Sequence, residues 1–263
     1  MTSLPCAAIQ LYALPGIPAV RKGDDLVLLI EAGLQRAQLR LQEGDVLVLA
    51  QKIVSKSQGR LIDLADVTPG PIAVELAAEV DKDPRVVELI LSESRRVVRK
   101  RPGLLIVEHR LGYIMANAGL DQSNTGPADS REYALLLPLD PDGSALELHE
   151  ALERRHCKGL GVVINDSFGR PWRRGTVGVA LGASGIPALL DLRETPDLFG
   201  RTLKTSVVGH ADEIASAASL LMGQADEGRP VVLVRGSRPA GQKRHADNSA
   251  AQLVRDEQED LFR

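Results

Sequence analysis

The sequence has 263 residues, 44% hydrophobic and 25% charged, with a net charge of −3 from 32 basic and 35 acidic side chains. These values exclude wholesale disorder and a general attraction to nucleic acid or anionic membranes, so any phosphate binding must be local. Aromatic residues make up only 3%, which leaves aliphatic packing to fill a core that fits one large domain or two modest ones.

In chain order, apolar runs at residues 9–14 and 45–54 read as strands. Between them, residues 25–39 place Leu26, Leu29, Ile30, Gly33 and Ala37 on one helical face. Further strands are expected at 104–108, 133–139, 161–164, 188–192 and 231–234, with a helix at 210–222 stopped by Gly223. Helices do not alternate with strands between residues 95 and 139, so the expected class is α+β rather than a doubly wound sheet. Pro and Gly clusters at 68–71 and 138–143 read either as lobe boundaries or as long surface loops. The charged stretch 244–263 reads as a docking helix or a tail, set apart from a catalytic region at 1–243.

Cys6 and Cys157 are too few and too far apart for a disulfide framework or a thiolate metal site. The first residues lack the basic and apolar regions of a secretion signal, and no apolar run approaches the roughly 20 residues of a membrane span. A cytoplasmic protein without a membrane partner is expected.

Four segments are dense in groups that bind metals or phosphates. Residues 119–126 set Asp121, Ser123, Asn124 and Thr125 between glycines, an oxygen-rich set that suits Mg²⁺ or Mn²⁺ and equally suits a self-capped surface turn. In 161–175 an apolar strand delivers Asp166 and Ser167 at its end, followed by Arg170, Arg173 and Arg174; a metal and an anion fit there, as does a solvated basic loop. The only tryptophan, Trp172, reads as a packing residue. Residues 222–229 follow a helix with Gly223 and Gly228 around Gln224, Asp226 and Glu227, a ligand loop or an ordinary helix end. Residues 54–60 add Ser55, Lys56 and Arg60 after a strand, a phosphate contact or a polar loop. No P-loop, dinucleotide fingerprint, H-E-x-x-H or G-x-S-x-G is present. The series Gly175, Gly178, Gly182, Gly185 marks a close contact of backbone rather than a nucleotide cradle.

These segments, LAQKIVSKSQGRL, ANAGLDQSNTG, VVINDSFGRPWRRGTVGVALG and ASLLMGQADEG, resemble in order and spacing the coenzyme F420-0:γ-glutamyl ligase family. The resemblance runs from Leu14 through Arg235 and implies a two-lobed α+β fold that forms an intertwined homodimer. It implies that Asp121 and Asp166 hold one divalent metal, Mg²⁺ or Mn²⁺, and that Ser167 and Gln224 hold a second, with K⁺ as a further candidate ion. It places GTP against Leu14, Pro15, Gly16, Ile17, Ser55, Lys56, Arg60 and Asn124, and against Met222, Gly223, Gln224, Ala225, Asp226, Glu227, Gly228 and Arg229. Ser167 stands where the family often has Thr, Arg60 where it often has Lys, and Gly16 is smaller than the residue many relatives carry.

The implied reaction transfers the GTP γ-phosphoryl group to the carboxylate of the deazaflavin F420-0, and L-glutamate then displaces phosphate to form an amide. Asp121, Asp166, Arg170 and Arg173 are the catalytic candidates, with the arginines holding the deazaflavin phosphate or the glutamate carboxylates. Two other readings use the same residues: a two-metal phosphohydrolase, and a nucleotide- or deazaflavin-binding module without turnover.

Overall fold

The computed structural model describes residues 7–125, 131–237 and 248–261. The chain enters on strand β1 (Gln10–Ala13) and forms helix α1 (Leu26–Arg36), strand β2 (Val46–Ala50), helix α2 (Gln51–Ser57) and strand β3 (Leu61–Asp63). Helices α3 (Pro71–Val80) and α4 (Pro84–Ser92) precede strands β4 (Ser94–Arg101), β5 (Leu104–His109), β6 (Ile114–Ala116) and β7 (Tyr133–Leu135). Helix α5 (Pro141–Arg155) leads to the hairpin of β8 (Gly161–Arg170) and β9 (Arg173–Ser184), then the ribbon of β10 (Leu189–Asp191) and β11 (Val207–Gly209). Helix α6 (His210–Met222) and strand β12 (Val231–Arg235) complete the order.

The main sheet runs β1-β12-β2-β8-β9, antiparallel at every step except the parallel pair β2 and β8. Period-two alternation sorts its side chains. Leu47, Leu49, Val162, Ile164, Val231 and Leu233 enter one core with α1 and α5, while Val46, Val48, Val163, Val232 and Val234 enter another beneath α6. A third core packs α3 and α4 against Leu105 and Val107 of the β4-β5-β6 sheet. The mixed α and β architecture agrees with the expected class, and no helix among the described residues is long and apolar enough to cross a membrane.

Several local expectations are corrected. The run at 45–54 is strand only as far as Ala50, after which α2 begins. Periodicity cannot separate a buried strand from a short buried helix, and Ile53 and Val54 simply continue the apolar run. The clusters at 68–71 and 138–143 open helices, with Pro71 and Pro141 in their first turns, where the missing N–H costs nothing. Strand β8 continues past Ile164 through Asp166 and Ser167, with a register shift at Ile164/Asn165, the kind of bulge that re-aims a side chain. Trp172 does not pack in the core: it is 89% exposed at the β8-β9 turn, with φ of 62°.

The glycine series has an intrachain purpose. A Cβ at Gly178 would collide with Ser219 and the Ala215 carbonyl of α6, and one at Gly182 would collide with the Pro141 carbonyl at the start of α5. Glycine lets helices from opposite faces approach β9 closely. Of the C-terminal stretch, the described residues 248–261 are tied to the body: the Ser249 hydroxyl and the Ala250 and Ala251 amides donate to the Asp142 carboxylate.

Candidate active site

Because β2 and β8 are parallel, with Ala50 paired to Asn165, their carboxyl ends lie side by side and bring the first turn of α2 next to Asp166. In parallel α/β sheets ligands gather outside the strand carboxyl ends, and the single parallel pair β2-β8 offers that local geometry here. Two cavities open there, and Asp166 and Ser167 line both.

The first cavity, about 470 Å³, is the more polar of the two: it is lined by Lys52 and Lys56 of α2, Asn124, Ile17 and the whole loop 222–230. The second, about 650 Å³, is more apolar, with Ile106, Ile114, Met115 and Phe168 facing Asp121 and Arg170. Arg170 carries a buried Nη1 with no hydrogen-bond partner. Leaving a buried charged donor unmatched is costly, so that atom is set for an anion.

Contacts between the segments define the polar cavity. Lys52 Nζ lies 2.6 Å from Asp121 and donates to the Ser123 carbonyl at 3.0 Å, while Lys56 Nζ donates to the Asn124 carbonyl at 2.8 Å. Asn124 Nδ2 in turn donates to the Ala225 carbonyl at 2.8 Å, which joins loop 121–124 to loop 222–229. The Ser167 hydroxyl donates to Gln224 Oε1 at 2.8 Å. Glu227 folds back over Gly223, where a Cβ would meet its carboxylate, and accepts the Ala225 amide at 2.9 Å.

Burial lifts the Asp166 carboxyl to about 7, with a further push from Asp121. Burial also pushes Asp121 upward, but hydrogen bonds from Lys52 and Ser123 outweigh it and hold the group below its usual range. Burial and the neighbouring Lys52 lower the Lys56 ammonium. Two carboxylates with unequal proton affinities therefore stand beside two lysines.

Oxygens of Asp121, Asp166, Ser167 and Gln224 are hard donors that fit Mg²⁺ or Mn²⁺. Among the described residues no group of three or more His, Cys, Asp or Glu gathers to hold a metal.

The candidates read from the sequence divide. Ile17, Lys56, Asn124, Asp121, Asp166, Ser167, Arg170 and residues 222–229 all line one cavity or both. Leu14 is 1% exposed in the core, and Pro15 and Gly16 are exposed beside Arg36, which donates to the Gly16 carbonyl. Ser55 is fully buried on the inner face of α2 and donates to Gln51 Oε1, because the segment is a helix and not the expected loop. Arg60 turns away to Glu93 at 2.8 Å and to the Leu137 carbonyl, and Arg173 and Arg174 stand exposed at the start of β9. Gly126 lies outside the described residues. Lys52, absent from the candidates the sequence offers, also lines the polar cavity. Its signal was the i, i+4 spacing to Lys56, visible only once 51–57 is read as helix.

The sequence family F420-0:Gamma-glutamyl ligase matches residues 16–236, a span that holds both cavities apart from Asp260. The chain belongs to this ligase family. It is 45% identical to the Coenzyme F420:L-glutamate ligase of Methanopyrus kandleri over 263 residues, 100% of each chain. It is 42% identical to the protein of that name from Methanothermobacter thermautotrophicus, over 97% of this chain and 99% of that one. The Archaeoglobus fulgidus protein of the same name is 40% identical over 97% and 96%. In this member of the ligase family, all four resembling segments converge on the two cavities, although Ser55 and Arg60 reach their neighbourhood without lining them.

Proposed function

We propose that the chain joins L-glutamate to the deazaflavin acceptor F420-0 through an amide bond, using GTP to activate the acceptor carboxylate as an acyl phosphate. The carrying observation is the shared floor at Asp166 and Ser167. A polar cavity with two lysines and a glycine-bounded loop suits a nucleoside triphosphate, and an apolar cavity with an unmatched arginine suits a flat anionic acceptor. In that arrangement the γ-phosphorus meets the acceptor carboxylate at the floor: the bond to the β-phosphate bridging oxygen breaks and a carboxyl O–P bond forms. The glutamate amine then attacks the acyl carbon, phosphate departs, and a proton leaves the new amide nitrogen.

Such transfers depend on positioning and charge neutralisation more than on covalent help. Divalent ions held by Asp121, Asp166, Ser167 and Gln224 would supply the neutralisation. Lys52 is tied to Asp121 in this structure and is the group released toward phosphate when that carboxylate takes another partner. Arg170 orients the acceptor anion, and the apolar wall keeps water from the acyl phosphate. Mass spectrometry of product after incubation with F420-0, GTP, Mn²⁺ and glutamate tests the reading. A mass increment of one or more glutamyl residues is expected, whereas GTP hydrolysis indifferent to glutamate would overturn it.

Lys56 is positioned for the triphosphate, so Lys56→Ala should raise KM for GTP roughly tenfold or more, the worth of a charge-assisted hydrogen bond. KM for glutamate should change less. The opposite pattern would move the triphosphate out of the polar cavity.

The protein is further proposed to be two-lobed and to work as an intertwined homodimer. Leu198 and Phe199, 92% and 85% exposed, are large apolar side chains left uncovered in the single chain. Light scattering should give twice 28.3 kDa; an active species of 28.3 kDa at micromolar concentration would contradict the dimer.

A further inference from the structure

The apolar cavity is lined by a sheet face and a hairpin. Arg99, Ile106 and Ala116 stand in register across β4, β5 and β6 and all reach it, while Leu105 and Val107 point the other way into the third core. The hairpin of β8 and β9 contributes residues 166–171. It ends in a two-residue turn, Pro171-Trp172, between the paired Arg170 and Arg173.

The turn is an unfavourable place for its tryptophan. Pro171 holds its own φ negative and Trp172 takes a φ of 62°, the pattern of a type II turn, whose third position calls for glycine or asparagine. A bulky residue is strained there. Trp172 is also 89% exposed, so burial in the core of this chain does not offset the strain. Strain of this kind gathers at ligand clamps.

The flanking residues indicate the ligand. Arg170 and Pro171, immediately before Trp172, line the cavity, and Arg170 brings its unmatched buried Nη1. Arg173 and Arg174, immediately after it, are exposed. The tip therefore joins a flat aromatic surface to three guanidinium groups, a set suited to a flat anionic molecule. Resting on the ligase reading above, we infer that Trp172 is the stacking platform for the ring system of the deazaflavin acceptor. Trp172 lies one residue beyond the lining, so it meets the ring at the cavity rim, away from the acceptor carboxylate at Asp166 and Ser167. It sets affinity for the acceptor and touches no transferred group.

Trp172→Gly and Trp172→Asn remove the ring and suit the positive φ, and Trp172→Phe restores a smaller ring. Each is assayed with F420-0, GTP, Mn²⁺ and glutamate, alongside thermal melting and light scattering. In the Gly and Asn variants KM for F420-0 should rise roughly tenfold or more, and KM for GTP and for glutamate should stay within about twofold of the parent. Both should melt no lower than the parent and keep its oligomeric state, and Phe should recover part of the loss. Trp172 is the only tryptophan, so titrating the parent with F420-0 should change its fluorescence over the concentrations that set KM. An unchanged KM for F420-0, an equal rise for all three substrates, a changed oligomeric state or an unresponsive fluorescence would overturn the platform. If one ring-less variant melts early, the other decides. A parent protein that makes no glutamate-dependent product refutes the ligase reading itself, and the fluorescence titration, which needs no turnover, is read apart from that outcome.

Discussion

Asp166→Asn is expected to lower turnover by about a hundredfold or more at saturating GTP, glutamate and Mn²⁺. The substitution nearly keeps the shape while removing the charge at the one carboxylate that lines both cavities. The fold should not suffer. Burial raises this carboxyl from 3.8 to about 7, so the folded protein holds a proton that the unfolded chain has released, and stability falls as pH rises between those values. At pH 8 the ionised group opposes folding, and the Asn variant, measured without added metal, should melt no lower than the parent. Near-parental turnover at saturating Mn²⁺ would remove Asp166 from the chemistry. A large drop in melting temperature would mean that the lost activity reflects lost fold.

Glu93→Gln is expected to cost about 3 kcal/mol of stability at pH 7, roughly 10 °C in melting temperature for a chain of this size. The Glu93 carboxylate faces Arg60 at 2.8 Å, Arg110 at 3.0 Å and His109 at 3.5 Å, and it is the common partner of all three. His109 is fully buried, and its Nδ1 accepts the Leu111 amide, which leaves Nε2 to face Glu93. Burial pushes Glu93 upward, but bonds from His109, Arg60 and Arg110 overcome it and bring it to about 2. A carboxyl lowered from 4.5 to about 2 contributes stability that is complete above pH 4.5 and is lost as pH falls toward 2. The gap between parent and variant in denaturant titrations should therefore be widest near neutrality and close on acidification. Equal stabilities at pH 7 would show that the cluster is not held by Glu93. The same variant bears on Arg60: an unchanged KM for GTP would assign that arginine to the support of α2, and a rise comparable to that of Lys56→Ala would return it to the nucleotide.

Features with a local cause were legible in the sequence. Helix α6 spans the residues expected for it, because an apolar face of period 3.6 runs from His210 to Met222 and stops at Gly223, whose φ of 73° suits glycine. Strands β1, β5 and β12 fall inside or within a residue of the expected runs. The oxygen-rich and basic segments were identifiable as chemistry because each concentrates its donors within a few residues. Where the local signal is ambiguous the sequence is silent: an apolar run through Val54 does not announce the change from strand to helix at Gln51, and so nothing in it marks Lys52.

What the sequence alone could not contain was the choice of partners. Lys52 meets Ser123 across 71 residues, Asn124 meets Ala225 across 101, and Arg60 is taken by Glu93 instead of facing the cavity. The first two pairings follow from the parallel placement of β2 beside β8 and the crossing of α6 behind them, and the third from the end of α4 reaching Arg60, so that strand ends and loops meet whatever their distance along the chain. A charge settles on the counter-charge that the packed backbone brings within reach, since desolvation makes an unmatched buried ion costly. Composition and motif therefore determined which groups this protein possesses, and tertiary packing decided which of them line the cavities and which hold the fold.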